Sequence, residues 1–121
     1  MKLLNRSAFV VLPREAFVSW TNSLDVDADG LHQSLSIEEQ RREGTVYLID
    51  EVSNEADFTK ALELQWSHIF HNELSAWDEL GDCWPHDINY ETFQLWFDIY
   101  PQIMAIDLST KPLMMANLEE A

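Results

Sequence analysis

A chain of 121 residues, 46% of them apolar and only seven Gly or Pro (three and four), has room for one domain with a real core and excludes a low-complexity polypeptide. Twenty-two acidic residues against seven basic ones give a net charge of −15, which excludes the basic stripe that direct nucleic-acid binding needs. The single cysteine, Cys83, excludes an internal disulfide and suits a reducing compartment.

Taken in order, Ala8 to Leu12 (AFVVL) is a short apolar run that predicts a strand. It is too short for a signal peptide, and nothing approaches a membrane span, so a cytoplasmic protein is expected. Pro13 is placed to open a helix to about Leu24, with Phe17, Trp20 and Leu24 on one face. Asp25 to Gly30 (DVDADG) resembles the front of an EF-hand loop, with Asp25, Asp27, Asp29 and Gly30 in place. Its last ligand position holds Ser36 instead of a bidentate Glu, and His32 stands where an apolar residue is usual, so an acidic surface turn is expected rather than a calcium site. Ser36 and Glu39 make a capping box for a short helix to Arg42, which Gly44 ends. Thr45 to Asp50 (TVYLID) is the clearest strand. Val46 and Leu48 lie on one face, Tyr47 and Ile49 on the other, so both faces are expected to be covered.

The longest helical pattern runs from Ser53 or Asn54, as cap, to Leu80, with Gly81 as its stop. Phe58, Leu62, Trp66, Ile69, Phe70, Ala76, Trp77 and Leu80 share its apolar arc. Glu73 lies within that arc, where a carboxylate is costly unless paired. The structural expectation is an ion pair with Arg41 or Arg42; the functional alternative is a carboxylate in a Trp-lined cleft. A loop with Trp84-Pro85 follows, then a helix from an Asn89 cap to about Asp98, stopped by Pro101, and a third strand from Gln102 to Leu108. Residues 1–112 are thus expected to form one α+β domain, mainly helical, with four to five helices packed on a small three-stranded sheet. Residues 113–121 are a tail, either frayed or a short helix, whose Leu113, Met114, Met115 and Leu118 dock on the body or on a second copy.

No nucleophile elbow or Gly-rich phosphate loop is present, so no positive argument for an enzyme exists. Twenty-two carboxylates make any acid/base spacing available and hence uninformative. His68, His71, Cys83 and His86 offer a zinc-like donor set, though not at the spacing of a standard finger, and solvent-facing histidines are the simpler expectation. No cofactor is implied. Of the five tryptophans, Trp20, Trp66, Trp77 and Trp96 are expected in the core. Trp84 is the candidate interaction anchor, with packing over the end of the long helix as its simpler role.

Phe17 with Trp20, the EEQRREGTVYLI run from Glu38 to Ile49, IFHNELSAW from Ile69 to Trp77, Trp84-Pro85 and Trp96-Phe97-Asp98 together resemble a family of small acidic proteobacterial proteins of unknown function. The resemblance extends from Phe17 to about Leu108, includes Arg41 and Glu73, and implies a bacterial cytoplasmic protein without implying an activity. DVDADG, the histidines and Cys83 depart from the family's pattern, which weakens both metal readings.

The leading expectation is a non-enzymatic interaction or regulatory module whose acidic surface meets a basic protein. The alternative is a small-ligand binder or enzyme using Glu73. A homodimer is compatible with either.

Overall fold

The computed structural model describes residues 1–24 and 35–118. The DVDADG stretch lies outside them. The chain is α+β, in the order β1 (Lys2–Leu3), β2 (Arg6–Pro13), α1 (Glu15–Asn22), α2 (Ile37–Arg42), β3 (Thr45–Asp50), α3 (Asp57–Ser75), α4 (Tyr90–Trp96), β4 (Phe97–Gln102) and β5 (Ile106–Asp107). The described residues contain four helices, a three-stranded antiparallel sheet ordered β3-β2-β4, and the short β1-β5 pair.

Strand β2 is central because its alternation serves both neighbours. Phe9 sits opposite Tyr47 on one side and Pro101 on the other; Val10 sits opposite Val46 and Tyr100. Ser7, Phe9 and Val11 point into the core, and helices α1, α3 and α4 cover that face with Phe17, Phe58, Ile69, Phe70, Leu74 and Phe93. The contacts are largely aromatic. Phe17 meets Phe97 at 4.8 Å between ring centroids, and Phe70 meets Phe93 at 5.6 Å and Phe97 at 5.7 Å, in the tilted or edge-on geometries that aromatic quadrupoles favour.

Several boundaries differ from the sequence expectation. Pro13 closes β2 instead of opening a helix: it is buried opposite Phe97, and the next amide, Arg14 N–H, donates to Trp96 O at 2.8 Å. Helix α3 is shorter at both ends. Residues 53–56 form turns, and its first position is preceded by Ala56 with no side-chain cap. It stops at Ser75, so Trp77 and Leu80 leave the apolar arc; Trp77 is 41% exposed and not a core residue. Helix α4 ends at Trp96 because Phe97 turns extended and takes its place in the sheet. Pro101 then lies inside edge strand β4, where a missing N–H is tolerated, so the third strand starts five residues before its expected position.

The largest correction concerns β3. It is an edge strand with one face uncovered: Val46 is 58% and Leu48 51% exposed, as is Tyr100 on the same face across β2, at 46%. Helices α1, α3 and α4 pack on the opposite face, and the Arg41 side chain of α2 reaches the edge of this one. The tail forms no helix over residues 113–118 and does not dock on the body; Met114 is 90% exposed.

Candidate functional site

Glu73 lies one residue before fully buried Leu74 and three after fully buried Phe70, so helical geometry carries its carboxyl toward the sheet. Alternation in β3 carries Thr45 and Tyr47 toward the same helix. The two elements meet there. Tyr47 Oη donates to Glu73 Oε2 at 2.5 Å and accepts from Asn72 Nδ2 at 2.8 Å. The Thr45 hydroxyl is a further hydrogen-bond partner of the Glu73 carboxyl.

Burial pushes the Glu73 carboxyl above its ordinary range, and the hydrogen bonds from Tyr47 and Thr45 offset this only in part. Burial also raises the Tyr47 phenol, helped by the negative charge and the hydrogen bond of Glu73, so the phenol keeps its proton. The phenol is therefore the donor of this pair and the Glu73 carboxyl its acceptor, on neighbouring elements.

The expected partner is not there. Arg41 Nη1 donates instead to Asp98 Oδ2 at 2.8 Å and to Pro13 O at 3.0 Å. Asp98 sits opposite Leu12 on the sheet face turned away from the α3-packed core, and Arg41 is drawn to that face. Among the described residues no Lys or Arg forms an ion pair with Glu73. Beside the carboxyl lies a crevice of about 300 Å³, walled by Phe17, Glu43, Thr45, Asn72, Glu73 and Trp77. Glu73 is thus neither sealed nor paired with a cation. Sequence reasoning located Glu73 but missed Tyr47 and Thr45 as its partners; their place on the strand face opposite Val46 and Leu48 was the available signal.

Trp84 is half-buried. Its indole N–H donates to Asp78 O at 2.9 Å, and its ring stacks on His71 with centroids 5.4 Å apart. It packs over the end of the long helix, the simpler of its two expected roles. Cys83 is exposed; its carbonyl accepts from Trp20 Nε1 at 2.9 Å, and its N–H donates to Asp78 Oδ2 at 2.6 Å. Among the described residues no three His, Cys, Asp or Glu side chains gather as a metal centre requires, so His68, His71, Cys83 and His86 do not converge on one. Among the same residues, no helix is long and apolar enough to cross a membrane.

Comparison with protein-family models, with curated proteins and with solved structures finds no match to this chain.

Proposed function

We propose that the chain is a non-enzymatic protein-interaction module of the bacterial cytoplasm, whose acidic surface receives a basic protein partner. One observation carries the reading. Among the described residues, only Asp98 and Asp107 are engaged by Lys or Arg, so the acidity is not consumed in internal ion pairs. A charge of −15 left uncompensated repels itself and costs stability. A basic partner would relieve that repulsion on binding and would be steered to the surface at low salt.

The test is two variants of equal net charge. One carries Glu38→Gln, Glu39→Gln and Glu43→Gln around α2; the other carries Asp82→Asn, Asp87→Asn and Glu91→Gln around the loop before α4 and its first turn. All six residues are exposed. Affinity capture from bacterial lysate should retain a basic protein at physiological salt, and one variant should lose it while the other keeps it. Equal weakening by both variants, or no retained protein, counts against a specific partner.

The uncovered sheet face favours a second reading, self-association. Val10, Val46, Leu48 and Tyr100 form its apolar centre, with Arg6 and Asp50 at one end and Arg41, Arg14 and Asp98 at the other. Three of the chain's seven cations and two of its twenty-two acids lie there. Two copies can meet on this face without the repulsion that opposes contact elsewhere. Light scattering should give a dimer mass that falls to the monomer value in Val46→Lys/Leu48→Lys. A monomer mass for the parent chain at high micromolar concentration excludes this second reading.

A further inference from the structure

We infer that the crevice beside Glu73 is a binding site for a small primary alkylammonium. This goes beyond the interaction reading and does not depend on it. The chemistry starts from the Glu73 carboxyl, which two hydroxyl groups hold in place but, among the described residues, no ion pair neutralises. A half-buried carboxyl held by neutral donors lacks the cation that would compensate the desolvation of its charged form. The crevice at its side, about 300 Å³, is at the small end of ligand sites.

The walls select the ligand class. Glu43 is a second acidic group on the rim, and Asn72, whose amide nitrogen is committed to Tyr47, retains its amide oxygen as an acceptor. Together with Glu73 these supply acceptors for the three hydrogens of an ammonium group. Phe17, Ala76 and Trp77 supply apolar and aromatic wall for a short alkyl chain, and an aromatic neighbour also favours a cation. Anions are excluded by the two carboxylates. A neutral alcohol would satisfy the walls but leave the carboxylate uncompensated. A bare metal ion is not favoured, because no grouping of three His, Cys, Asp or Glu side chains exists among the described residues.

The test is titration of the full chain with n-butylammonium chloride, followed by amide and indole NMR shifts, with n-butanol as the isosteric neutral probe and sodium chloride at matched ionic strength. Butylammonium should shift the Trp77 indole and Asn72 side-chain signals saturably, and butanol should not. Glu73→Gln should weaken binding roughly tenfold or more, the loss of one charge-assisted contact. Trp77→Leu, at an exposed position, should weaken it without unfolding the protein. Glu91→Gln, on α4, should bind as the parent does. The proposal is overturned if butanol binds as well as butylammonium, or if Glu73→Gln retains parental affinity. It is also overturned if Glu91→Gln weakens binding as much as Glu73→Gln, since the chain's overall charge would then be the cause. The spectrum of each variant reports its own folding, so a failed fold is not read as lost binding.

Discussion

Arg41 and Asp98, fifty-seven positions apart, are joined at 2.8 Å between Nη1 and Oδ2. The same nitrogen also donates to Pro13 O, so one guanidinium ties helix α2 to the closing residue of β2 and to strand β4. The side chains are 31% and 37% exposed, which keeps the ion pair itself modest. Arg41→Ala should lower stability by about 1 kcal/mol, read as a urea midpoint. A cycle with Asp98→Ala should show coupling, because either single variant already breaks the Arg41–Asp98 pair. Equal effects from Arg41→Ala and Arg42→Ala would contradict this role.

Gly44 links α2 to β3 at a close approach. A Cβ added there would run into Leu12 Cδ2 and stand 3.1 Å from Val11 O. The leucine end can swing away, whereas the strand carbonyl cannot. Gly44→Ala should therefore cost about 1–3 kcal/mol, of which Leu12→Ala in the same chain recovers only part. Thermal unfolding of the two singles and the double gives the answer, and full recovery would place the whole clash on Leu12.

Gly81 has φ +79°, the left-handed region that side chains avoid. Here space is not the obstacle, since an added Cβ would stand 3.6 Å from the Trp84 ring, an ordinary contact. The cost of Gly81→Ala is therefore backbone strain, about 1–2 kcal/mol, and Gly81→Asn should cost less because Asn tolerates this region. If the two variants unfold at the same temperature, steric contact with Trp84 rather than φ governs the turn.

The elements legible in the sequence were those with a local cause. The Ser36–Glu39 capping box is present with both of its hydrogen bonds, and the Asn89 cap accepts from Thr92 N–H at 2.8 Å. Strand β3 showed in its β-branched and aromatic residues. What failed depended on distant partners. Nothing local to Phe97 shows that it leaves the helix to pair with Pro13, and nothing local to Val46 and Leu48 shows that no layer covers them. Glu73 was conspicuous because a carboxylate broke an apolar arc. Its partner was not, because a tyrosine on a strand and an arginine on a helix satisfy the same local pattern. The assignment of Arg41 failed on geometry alone, since its side chain reaches Asp98 on the sheet face opposite the one that carries Tyr47.

The Glu73–Tyr47 pair has a pH signature of known sign. Burial raises the folded-state pKa of Glu73 above its ordinary value of 4.5. The folded chain then holds this proton more tightly than the unfolded chain does, so the contribution is fully present below the ordinary value. It is lost as pH rises through the raised folded value. Glu73→Gln changes no other acid, so the difference between the parent and this variant isolates the group. Glu73→Gln, which keeps an acceptor for Tyr47 Oη, should match the parent at low pH and exceed its stability at neutral pH. Tyr47→Phe removes the donor and should cost about 1–3 kcal/mol at neutral pH, where the carboxylate is left with Thr45 alone. Glu73→Ala should be destabilising at every pH, because it strands the Tyr47 hydroxyl and opens space beside Leu74. Denaturant midpoints from acid to neutral pH decide the matter. A stability gap between parent and Glu73→Gln that is flat across that range means the carboxyl titrates as it does in the unfolded chain.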